Sequence, residues 1–115
     1  MSCAAALATL AVLERDDLYA RCRELGRRAR VELTHVASTC PGVLEVRGLG
    51  LMIGIECIDA STADTVRRAC LADGLLVLTC GPAENVLRII PPLTLSDDEL
   101  AIGLDILGRA LRAHA

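Results

Sequence analysis

The chain has 115 residues, 53% of them apolar, and a formal net charge of −3. That is one domain's worth of protein with a single modest core, and the charge excludes a basic field for nucleic acid or an anionic membrane. All twelve basic residues are arginines, so no lysine ε-amine exists to form a Schiff base with a carbonyl compound.

The six cysteines are Cys3, Cys22, Cys40, Cys57, Cys70 and Cys80, without a C-x-x-C pair, and His35 and His114 are the only imidazoles. Zinc spacing is not met, and no residue is assigned to a metal. Each cysteine lies in or beside an apolar pattern, which predicts buried, reduced thiols. With no secretion signal, the expected setting is the reducing cytoplasm.

Residues Ser2 to Leu13 read SCAAALATLAVL, a helix apolar on every side but too short to span a bilayer. Such a helix must be covered all round, so something outside this chain is expected to cover it. Asp16 or Asp17 is placed to cap a second helix running to about Ala37. Leu18, Cys22, Leu25, Ala29, Leu33 and Val36 form its apolar stripe. Arg21, Glu24, Arg27, Arg28 and Glu32 form a solvated face, and Cys40-Pro41-Gly42 supplies turn chemistry.

Val43 to Arg47 and Leu51 to Ile58 read as a hairpin joined through Gly48-Leu49-Gly50. Gly48, Gly50 and Gly54 superficially suggest a dinucleotide fingerprint, but that motif needs a helix next, and a strand follows. Ser61 with Asp64 predicts a capped helix that Gly74 stops. Leu75 to Thr79 and Val86 to Ile90 are predicted strands, separated by a polar loop. After Pro91-Pro92, Ser96 and Glu99 form a capping box, with Leu95 and Leu100 placed as a hydrophobic staple. Leu100, Leu104, Leu107 and Leu111 line the last helix. The order predicts an α+β fold, a small antiparallel or mixed sheet with helices on one side. Residues 1–38 form an N-terminal helical segment, and residues 39–115 the α+β unit.

Arg88, in VLRII, is the most informative side chain. A guanidinium keeps its charge, so it needs either solvent or an anionic partner. Two readings stand: an exposed arginine snorkelling on an edge strand, or a bidentate clamp on a substrate carboxylate. The carboxylates offer no catalytic pair. Asp16-Asp17 and Asp97-Asp98 lie at helix starts, where the dipole explains them, and Glu45 and Glu56 are placed to pair with Arg47 across strands. No residue is assigned a catalytic role.

Three ordered motifs carry a resemblance: SCAAALATLAVLE at the start, VRGLGLMIGIE over Val46 to Glu56, and GLLVLTCGPAENVLRIIPPLTLSDDEL towards the end. Together they resemble the C-terminal region of class III pyridoxal-phosphate aminotransferases. LTCG, NVLR and PPLT are closest to the 4-aminobutyrate enzymes, and the acetylornithine, ornithine and diaminobutyrate enzymes share similar phrases. The resemblance implies the C-terminal small domain of a fold-type-I enzyme, with the opening helix joining it to a large cofactor domain. It implies that Arg88 binds the carboxylate of an amino-acid substrate. It also implies pyridoxal phosphate in the complete enzyme and a homodimer partner.

The family's Schiff-base lysine and cofactor-binding groups fall upstream of the opening helix. The chain is therefore expected to bind no cofactor covalently and to be inactive alone, as a fragment of a transaminase acting on an amino acid or ω-amino acid and a 2-oxo acid. The competing reading is a stand-alone α+β interaction domain that associates through its apolar helix. A ferredoxin-like amino-acid-binding regulatory domain is a third, weaker reading.

Overall fold

The computed structural model describes all 115 residues. In chain order the elements are α1 (Ser2–Arg15), α2 (Leu18–Ala37), β1 (Val43–Leu49), β2 (Met52–Cys57), α3 (Ala60–Ala72), β3 (Leu78–Cys80), β4 (Val86–Ile89) and α4 (Asp97–His114). The strands form one antiparallel sheet of order β1-β2-β4-β3, so β4 lies inside the sheet. The fold is α+β, as the element order implies.

Strand alternation sends Ile53, Ile55 and Cys57 of β2 and Leu87 of β4 to the buried face. There they meet Leu25, Ala29 and Leu33 of α2 and Val66 and Cys70 of α3 in one continuous core. Both helices pack on the sheet without touching each other, and α4 lies against both. Leu100, Leu104, Leu107 and Leu111 of α4 are all buried, as their spacing predicts. All three helices thus serve one face, and the other carries none.

The break between α1 and α2 differs from the expected cap. Asp17 takes a left-handed conformation, φ 47°, and gives no side-chain hydrogen bond to α2. Asp16 instead binds Arg15, with Nε donating at 2.7 Å. The start of α3 also differs: Asp59 is the cap, its Oδ1 accepting from the Thr62 N–H at 2.7 Å. Ser61 lies within the helix. At the other end Gly74, φ 88°, lets the Leu75 N–H reach back to the Cys70 carbonyl at 2.8 Å. That bond occupies Leu75, and pairing of β3 begins only at Leu78 rather than at Leu75.

The capping box of α4 is present in full, Ser96 Oγ accepting from the Glu99 N–H and Glu99 returning to Ser96. Asp97 then receives Arg21 and Arg28 from α2, and Arg21 also donates to the Leu95 carbonyl at 2.6 Å. No side chain of α1 is buried, and no helix is long and apolar enough to cross a membrane.

Candidate functional site

The helix-free face of the sheet holds the candidate site. In the β1–β2 ladder Arg47 stands opposite Gly54, and in the β2–β4 ladder Arg88 stands opposite the same Gly54. Leu78 of β3 completes that row. The adjacent row on the same face runs Glu45, Glu56, Val86, Cys80. Arg88 is therefore on an interior strand, not the edge strand of the simpler reading. Its side chain is nevertheless exposed, because the face above it is open.

Gly54 is the floor between the two arginines. A Cβ there would meet only the Val86 side chain, at 3.2 Å, so Val86 leans into the space that a side chain would take. Leu49, Met52 and Leu78 add exposed apolar surface to this face. The largest surface depression, about 480 Å³, lies elsewhere, between the end of α2 and β1. It contains no cation, and we attach no ligand chemistry to it.

Arg47 is paired twice within the chain. Its Nη1 donates to Glu45 Oε2 at 2.7 Å and to Glu56 Oε2 at 2.5 Å. These carboxylates, Glu56 first, push the Arg47 guanidinium above its ordinary value. The expected pairing with Arg47 is present across strands for Glu56, whereas Glu45 reaches it from two residues away along β1 itself. Arg88, by contrast, makes no ion pair or hydrogen bond within the chain, a condition shared only by Arg23 and Arg112 among the arginines.

The remaining candidates add no reactive group. His35 and His114 are exposed and separate from Arg88. Cys40, Cys57 and Cys70 are buried and Cys22 and Cys80 partly so, but Cys3 on α1 is exposed, against expectation. Burial pushes the Cys57 and Cys70 thiols up to about 11, which leaves them protonated and unreactive at neutral pH. With no lysine in the chain, a pyridoxal aldehyde finds no ε-amine to tether it.

What this face offers is one free guanidinium over a glycine floor, suited to a planar anion such as a carboxylate. Sequence reasoning singled out Arg88 as a candidate and considered Gly54 only within a rejected glycine fingerprint, so the row they share was not anticipated. The only signal was the glycine in MIGIE, and its partner lies 34 positions away in the chain, Gly54 against Arg88.

The family model for class-III aminotransferases matches residues 1–111. A 4-aminobutyrate aminotransferase of Mycobacterium leprae is 40% identical over 96% of this chain and 26% of its own length. The acetylornithine aminotransferase of Elizabethkingia anophelis superposes with a TM-score of 0.86 at 29% identity, covering 95% of this chain and 29% of that one. An Arthrobacter phospholyase solved with phosphoethanolamine superposes equally well, TM-score 0.86 at 30% identity, over 91% of this chain and 27% of that one. The chain belongs to the class-III aminotransferase family. It spans about a quarter of the length of the curated relatives it matches. The phospholyase shows that this architecture also accompanies chemistry other than transamination, so the fold alone does not fix the reaction.

Proposed function

We propose that this chain is the C-terminal small domain of a pyridoxal-phosphate-dependent transaminase, and that Arg88 holds the carboxylate of its amino-acid substrate. The observation that carries the reading is an arginine with no partner in its own chain, on an interior strand, facing the one side of the sheet that no helix covers. The exposed Leu49, Met52 and Leu78 around it suit a face that meets the rest of an enzyme. The complete enzyme transfers an amino group from an amino acid, in this reading an ω-amino acid, to a 2-oxo acid in the cytoplasm. A large domain supplies the cofactor, and residues 1–38 lead from it into the α+β unit of residues 39–115. The likeness to 4-aminobutyrate aminotransferases supports that substrate class.

Two measurements test the reading. The chain alone, mixed with pyridoxal phosphate, 4-aminobutyrate and 2-oxoglutarate, is expected to give no glutamate; sustained turnover would overturn its assignment as an inactive part. Joined to its cofactor domain, Arg88→Met is expected to raise KM for the ω-amino acid about tenfold to a hundredfold, the scale of one charge-assisted hydrogen-bonded contact, with the cofactor's absorbance unchanged. An unaltered KM would remove Arg88 from the site.

A further inference from the structure

Glu56 stands diagonally across the sheet from two arginines. It lies two residues along β2 from Gly54, which faces Arg47 on one side and Arg88 on the other. Diagonal cross-strand neighbours are about 7–8 Å apart, within reach of side chains as long as these. Glu56 therefore has two guanidiniums available, and it is bound to Arg47.

The reason lies in β1. Glu45 sits directly opposite Glu56, and like charges in that position repel. Arg47 binds both carboxylates through one nitrogen, so a single guanidinium relieves the repulsion and satisfies Glu56 together. Pairing Glu56 with Arg88 would leave Glu45 with its cation but would bring an internal carboxylate onto the side chain that is otherwise free. The observed arrangement gathers two negative charges and one positive on the β1–β2 half of the face. It leaves the Arg88 charge unmatched.

We infer that Arg47 is a positioning residue for Arg88: by holding Glu56, it keeps an internal carboxylate from competing with the substrate's. This inference rests on the reading of Arg88 as a carboxylate clamp. Arg47 touches no substrate and acts only through Glu56. Gly54 places no side chain of its own between the arginines, and Val86, which leans into that space, offers neither guanidinium a charge.

The test uses phenylglyoxal, which modifies accessible arginines, with the rate at each site read by peptide mass spectrometry on the 115-residue chain. In Arg47→Met, Glu56 turns to Arg88, and modification of Arg88 is expected to slow about twofold to fivefold, the range of an exposed ion pair. Arg23 and Arg112, also free of partners, should keep their wild-type rates. Arg47→Lys should retain the wild-type rate at Arg88, and Arg47→Met with Glu56→Gln should restore it. An Arg88 rate unchanged in Arg47→Met, with the two reference sites also unchanged, overturns the inference.

Should Arg47→Met unfold the hairpin through the opposed carboxylates, Glu45→Gln with Arg47→Met removes that repulsion and leaves Glu56 the same choice. The two proposals fail separately. If Arg88→Met leaves KM of the complete enzyme unaltered while Arg47→Met still slows the modification, the clamp falls and the exchange of partners stands. If Arg88→Met raises KM and Arg47→Met leaves modification unchanged, only the role of Arg47 falls.

Discussion

Gly26 and Gly103 are both helix-interior glycines, yet their surroundings give the same substitution opposite signs. A Cβ on Gly26 would stand 2.0 Å from the Gly50 carbonyl oxygen, a backbone atom of the β1–β2 turn that cannot rotate away. Alanine gains about 1 kcal/mol of helix propensity over glycine, but forcing α2 off the hairpin costs more, about 1–3 kcal/mol for ordinary overpacking. A Cβ on Gly103 meets Leu75 at 3.6 Å, ordinary contact. Urea unfolding should therefore show Gly26→Ala lowering the unfolding free energy and Gly103→Ala raising it by up to about 1 kcal/mol. Neither outcome is visible in the one-dimensional pattern, because the deciding neighbour of Gly26 lies 24 positions ahead. Arg88 was legible in part for the same reason. Its residue type and strand were readable, but its interior place and its solitude depend on β4 entering between β2 and β3.

Helix ends show where local reading succeeds and where it is misled. The Ser96–Glu99 box closes over four residues, needs nothing from the rest of the chain, and forms as spaced. Ser61 and Asp64 have the same spacing but lie inside α3, Ser61 already in its first turn, because Asp59 two residues earlier takes the extended conformation and accepts from Thr62. A capping pattern fixes a possible start, and the preceding strand decides which candidate lies at the corner. Thermal melts should accordingly separate the two: Asp59→Ala lowers Tm, whereas Ser61→Ala leaves it nearly unmoved. Ser96→Ala should cost about 1 kcal/mol, the usual value of an N-cap side chain. The staple Leu95 and the Arg21 and Arg28 contacts to Asp97 remain to hold the first turn of α4 against α2.

The whole molecule is long for its size, 45 × 26 × 24 Å with a radius of gyration of 15.2 Å, where about 13 Å is usual for this length. The excess is α1, whose 14 residues bury no side chain against the core. An isolated helix of that length is marginal in water, and Leu7 and Leu10 are exposed along it. Sedimentation should show concentration-dependent, polydisperse association of the free chain. Leu7→Glu with Leu10→Glu should abolish it while leaving the urea midpoint of the core unchanged. A discrete stable dimer would instead favour a self-sufficient interaction module. The all-round apolarity of α1 was plain in the sequence, and the chain's own contacts leave it unburied. Inside a cell that helix has a further effect. Chaperones and proteases recognise unfolded chains by contiguous apolar residues with nothing over them, and α1 presents that signal on a molecule whose core is fully formed. Quality control would clear the free chain as if it had misfolded, and its abundance would be set by the helix that contributes least to its stability.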